Sequence, residues 1–189
     1  MDIYTFFIQH DWVVRLMIIA FFITLIIVLE KIYHFISISI ALKELEKIKN
    51  LEEIQHINNH FLQSTFIEIK SFQGEQKELF NAFIGVKLDR YEAYLMRYIS
   101  ILGLIAILSP MLGLIGTFMG VWHVFEGVSS ISLSDPAIIA KGIKEVLIDT
   151  MAGLSMAVIA MIFYKSFEIF VHKNVINFEE KLYKILKEK

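Results

Sequence analysis

Two long apolar stretches, Tyr98–Phe125 and about Ile139–Tyr164, constrain this chain more than any other feature. The first runs for 28 residues without Asp, Glu, Lys or Arg, which is enough to cross a bilayer with some tilt. The second is apolar in its later half, but its earlier half carries Lys141, Lys144, Glu145, Asp149 and Thr150. A helix takes such groups into a membrane only where they face protein or a wet cavity. Spanning length combined with ionisable content marks this region as the functional one.

A third apolar stretch near the N-terminus reads as another span, with Trp12 suited to an interface and Arg15 placed to snorkel. A cleaved signal peptide is the competing reading. The leader carries Asp2 and Asp11 instead of basic residues and offers no small-residue cleavage site, so retention is expected. The composition agrees: 56% of residues are hydrophobic and only 2 are proline, which favours long unbroken helices. Cysteine is absent, so disulfides and thiol-based metal or redox chemistry are excluded. No basic tract or recognition motif points to nucleic acid.

The expected fold is therefore an all-α integral membrane protein with three transmembrane helices and long helical extensions. Its segments are an outer N-terminus at 1–11, a first span at 12–30, a polar helical region at 31–97, a second span at 98–125, an outer loop at 126–138, a third span at 139–164 and an amphipathic helix at 165–189. Within 31–97, ALKELEKIKNLEE is rich in helix formers, while His56, His60 and the nearby asparagines suggest a bend. Gly74 marks a further boundary, after which a helix is expected to start near Glu75 and continue into the second span. In the tail, Phe167, Val171, Val175, Phe178, Leu182 and Ile185 recur at three-four spacing. That stripe predicts a helix continuous with the third span, packing within an oligomer.

Orientation follows from the short flanks. The first ten residues and the segment after Phe125 hold acidic residues and serines, whereas Lys31, Arg90, Arg97 and Lys165 gather near the other span ends. The positive-inside rule puts the N-terminus and the 126–138 loop outside, and the middle region and tail in the cytoplasm.

The spans contain their own polar constellation. Gly113, Gly116 and Gly120 give the second span a small-residue face, with a GxxxG spacing between the last two, and small faces let helices approach closely in lipid. Pro110 is accommodated if neighbours or water satisfy the carbonyl it frees. Thr117 and Thr150 have two readings: hydroxyls bonded back to their own helices, or a polar lining that exchanges donors and acceptors with water and protons. Glu145 and Asp149 share a helix face, one turn apart, with Lys141 a turn earlier. Lys141 and Glu145 form either a simple i,i+4 pair or the entrance of an ion route leading past Asp149 to Thr150. The histidines show no metal-ligand spacing, and no nucleophile array or phosphate loop supports an enzyme.

The stretches SPMLGLIGTFMGVWHVFEG at 109–127 and IIAKGIKEVLIDTMAGLSMAVIAMIFYKSF at 138–167 resemble the ExbB/TolQ branch of the MotA/TolQ/ExbB proton-channel family. Pro110, Gly113, Gly116, Thr117 and Gly120 match the first family segment, and Gly142, Glu145, Leu147, Thr150, Gly153 and Tyr164 match the second. The resemblance implies a bacterial inner-membrane stator subunit, with a periplasmic N-terminus, a cytoplasmic C-terminus and protons as the coupling ion in place of any cofactor. It implies a homopentamer enclosing a dimer of single-span ExbD- or TolR-type partners, driving a TonB- or TolA-type periplasmic protein for outer-membrane transport or envelope maintenance. Thr117 and Thr150 would then face the pore and Glu145 would influence the channel or subunit contacts, with Pro110, Gly113, Gly116, Gly120 and Gly153 in helix packing; Asp149 joins the proton-pathway candidates from its own position beside Thr150, as a second protonation site or the partner of a basic group.

Two positions depart from the family pattern. Asp149 stands where a small apolar residue is usual, and Ile159 stands where the pattern has a proline. A non-conducting membrane scaffold and a flagellar-type stator subunit are the alternative readings, and three spans fit the ExbB/TolQ layout better than the flagellar one.

Overall fold

The computed structural model describes residues 12–45, 60–71, 77–130 and 136–187, all of them helical except for one turn. Five helices follow in chain order: α1 Trp12–Leu45, α2 His60–Ser71, α3 Lys77–Met96, α4 Ile99–Ser130 and α5 Pro136–Lys187. At 1.5 Å per residue, the 34 residues of α1 and the 52 of α5 reach about 50 Å and about 78 Å. Three helices carry stretches long and apolar enough to cross a membrane, within Trp12–Ile40, Ile99–Glu126 and Gly142–Lys184. The all-α class and the three apolar helices are thus those expected. His56 lies outside the described residues, as does Ala41–Glu53 beyond Leu45.

Helical order extends further than the sequence pattern predicts. α1 continues past residue 30, because IYHFISISI adds apolar and small residues with no glycine or proline to stop it. α4 runs to Ser130 and α5 starts at Pro136, so both enter the predicted 126–138 loop. Proline suits the first turn of a helix, where its missing N–H has no partner to lose. The opposite correction applies near Glu75. One helix was expected to run from there into the second span, but α3 stops at Met96 and α4 restarts at Ile99. Between them Tyr98 adopts φ 67°, left-handed backbone that costs an ordinary residue about 1–2 kcal/mol.

The described chain forms two compact units. One comprises Met1–Val28 and Tyr98–Lys165, and the other Leu29–Arg97 and Ser166–Lys189. In the first unit, α4 buries Ser109, Gly113 and Gly116 while Met111, Leu114, Phe118, Trp122 and Phe125 stay exposed. α5 likewise leaves Ile143, Leu147, Met151, Leu154, Val158 and Ile162 outside. Large apolar side chains thus cover the outside of this unit as well as filling its interior at Met17, Ile99, Leu102 and Met156, unlike a water-soluble bundle with its polar exterior. The arrangement suits a lipid environment, where close backbone packing drives association.

The second unit has an aromatic core. Phe35 lies edge-on to Phe167 with ring centroids 5.4 Å apart and against Phe170 at 4.4 Å, and Tyr91 meets Phe178 at 4.7 Å. Ile38, Ile69, Ile84, Leu95, Val171 and Leu182 complete it, all nearly or fully buried. The tail stripe predicted to pack within an oligomer is therefore buried inside its own chain: Phe167, Val171, Phe178 and Leu182 are among the core residues. Lys87 of α3 pairs with Glu68 of α2 and lies 5.1 Å from the Phe83 ring.

Candidate functional site

The family-like residues meet along the antiparallel seam between α4 and α5. The seam is tight because glycines from both helices face it. A Cβ on Gly153 would lie 2.6 Å from the Ser109 carbonyl oxygen and 3.0 Å from the Gly113 Cα. One on Gly113 would lie 3.2 Å from both the Asp149 carbonyl oxygen and the Thr150 Cα. Further along, a Cβ on Gly120 would strike Val146, and one on Gly142 would strike Val124. At the other end the Tyr164 ring fills the space beside Gly103. The backbones approach where glycine leaves room for the opposite chain.

Asp149 occupies one of these gaps. Its Cβ and Oδ2 lie 3.2 Å and 3.3 Å from where a Gly116 Cβ would be, and Val13 of α1 approaches the same point at 3.5 Å. A carboxylate thus sits half-buried where three helices converge, in space that Gly116 provides. The contribution of α1 was not predicted, since helix periodicity indicates an apolar face but not the partner it meets.

The two threonines behave differently. Thr117 Oγ1 donates to the Leu114 carbonyl of its own helix at 2.6 Å. Thr150 Oγ1 instead reaches across the seam to the Gly113 carbonyl at 3.5 Å, a long contact. Both are half-buried. With its proton engaged, each hydroxyl keeps lone pairs free to accept from water or a partner group. Glu145 and Lys141 lie on α5, and their side chains fall outside the described part of the structure. Lys144 is exposed.

Pro110 lies inside α4, where it removes one N–H from the helix ladder. The adjacent Ser109 hydroxyl bonds the Ile105 carbonyl at 2.7 Å, and Ser109 is almost wholly buried. In α1, Thr24 makes the equivalent bond to the Ala20 carbonyl at 2.9 Å. These hydroxyls are satisfied within their own helices, which removes the cost of burying them. Among the described residues, no group of three His, Asp or Glu side chains is placed to hold a metal ion.

Comparison with known proteins places this seam inside a matched region. A model of the MotA/TolQ/ExbB proton channel family matches residues 53–180. The biopolymer transport protein ExbB of Salmonella typhimurium is 33% identical over 105 residues, covering 53% of this chain and 43% of that protein. ExbB of Pseudomonas putida is 30% identical over 135 residues, covering 68% of this chain and 40% of that protein. The Tol-Pal system protein TolQ of Pseudomonas aeruginosa is 35% identical over 82 residues, covering 43% and 36%. The chain spans less than half the length of these relatives in each match.

Proposed function

Because the chain belongs to the MotA/TolQ/ExbB proton channel family, in its ExbB/TolQ branch, we propose that it is a proton-driven energy-coupling subunit of a bacterial inner-membrane motor. Copies of the chain assemble as a homopentamer around a dimer of ExbD- or TolR-type helices. Protons moving down their gradient are taken up and released by an acidic group on that partner. The resulting motion drives a TonB- or TolA-type periplasmic protein. The N-terminus faces the periplasm and the C-terminus the cytoplasm.

One observation carries the site assignment: Thr150, at a family-matched position, aims its hydroxyl across the seam at the Gly113 carbonyl instead of at its own helix. The threonines act by hydrogen bonding, not by covalent chemistry. Each presents acceptor lone pairs to a proton-carrying group while its own O–H donates to a backbone carbonyl. Thr150, Thr117, Glu145 and Asp149 line or flank the proton route in this reading. Gly113, Gly116, Gly120, Gly153 and Pro110 hold α4 and α5 in register.

The test is Thr150→Val, which keeps the branched shape and removes the hydroxyl. Membranes holding the variant and its ExbD/TolR-type partner should assemble normally and lose gradient-driven work. Undiminished work would take Thr150 off the route.

A further inference from the structure

Asp149 and Thr150 are neighbours in sequence, yet the α4–α5 seam holds their side chains on opposite flanks. The space at Gly116 is taken by the Asp149 Cβ and Oδ2, and Val13 of α1 reaches the same point at 3.5 Å. Asp149 and Gly116 therefore lie on the flank that α1 covers, where Val13, Val14 and Met17 are buried. The next residue along a helix is turned by about 100°. In two antiparallel helices that step carries Thr117 and Thr150 to one and the same flank, the one away from α1. The Thr150 hydroxyl reaches the carbonyl of Gly113, which lies one turn before Thr117 on that flank.

The two flanks are closed off from each other at this level. A Cβ on Gly113 would lie 3.2 Å from the Thr150 Cα, and one on Gly153 would lie 2.6 Å from the Ser109 carbonyl oxygen. Backbones in such contact leave no room for a side chain or a water between the helices. The Asp149 carboxyl is thus walled off from the threonine flank.

That flank has a character of its own. Each threonine shares its face with the residues three before it and four after it. These are Leu114 and Val121 around Thr117, and Leu147 and Leu154 around Thr150, all of them exposed. Two hydroxyls with spare lone pairs, set in apolar surface, complement an apolar membrane helix that brings one protonated carboxyl group.

We propose that the seam divides the two neighbours by role: Thr150, with Leu147 and Leu154, meets the acidic partner helix, and Asp149 belongs to the contact with α1. Asp149 then flanks the proton route only from behind the seam. The identity of the partner rests on the proposed function, whereas the division of the seam does not.

Single-cysteine variants test the division, because the chain has no cysteine of its own. Each is co-expressed with an ExbD/TolR-type partner that carries one cysteine beside its acidic residue, and the membranes are oxidised. Thr150→Cys, Leu147→Cys and Leu154→Cys should cross-link to the partner. Cross-linking should be lost in Asp149→Cys and in Ile148→Cys, an exposed position turned away from Thr150. The double variant Val13→Cys, Asp149→Cys should instead close a bond within the chain. Partner cross-linking of Asp149→Cys at or above the yield of Thr150→Cys overturns the proposal. A partner that co-purifies but bonds at neither position 147 nor position 154 also overturns it and leaves the flank to lipid. Bonds between copies of this chain at those positions overturn it in favour of a subunit contact. If no partner co-purifies with the wild-type chain, the proposed function fails, and the bond between positions 13 and 149 still decides the division: its absence overturns it.

Discussion

The glycines of the α4–α5 seam differ in what a methyl group would meet, and that difference predicts their tolerance. At Gly153 the obstacle is backbone: the Ser109 carbonyl oxygen and the Gly113 Cα and N. Backbone has no rotamer to yield, so Gly153→Ala must spread the helices and should cost about 1–3 kcal/mol. At Gly120 the obstacle is a methyl of Val146, which can turn aside at smaller cost. Thermal unfolding of the two variants in the same bilayer mimetic should therefore rank Gly153→Ala below Gly120→Ala. The seam glycines were legible in the sequence as a small-residue face, while the facing residues were not, because spacing does not specify register. Asp149 was legible only as an anomaly, and the structure adds the space that Gly116 leaves for it. Asp149→Asn preserves that shape and removes the titration. If the carboxylate serves the proton route, the variant should change the pH profile of coupling; wild-type activity and pH response would exclude that role.

At the scale of elements, helix length and apolar periodicity could be read from the chain because they depend on local residue type. The α3–α4 break could not, since no glycine, proline or asparagine stands at Arg97–Tyr98 to announce it. The tail stripe shows the same limit from the other side. Its three-four spacing gives the buried face of α5, but the rings that cover it, Phe35 and Tyr91, come from α1 and α3. Burial next to Phe178, with Tyr94 nearby, pushes the Tyr91 phenol above its ordinary value of 10.0. The folded state then holds the phenol proton more tightly than the unfolded chain does. The associated stability is complete below about pH 10 and is lost as pH rises beyond it. Unfolding measurements above about pH 10 should show a steeper loss for wild type than for Tyr91→Phe, which has no phenol proton to lose. Equal slopes would remove Tyr91 as the source.

For the whole molecule, three apolar helices and membership of the MotA/TolQ/ExbB family direct attention to membrane energetics and away from catalysis. The chain matches both ExbB and TolQ proteins, so the matched region is common to the two. Each elementary charge crossing a membrane carries about 2.3 kcal/mol per 100 mV, which sets the scale of the work that a proton gradient supplies. The most direct measurement is partner-driven work in vesicles holding this chain and its ExbD/TolR-type partner, with the proton gradient imposed and then collapsed by a protonophore. The proposed function predicts work that starts with the gradient and stops when it collapses. Assembly and output that continue unchanged without a gradient would contradict it and identify the chain as a scaffold.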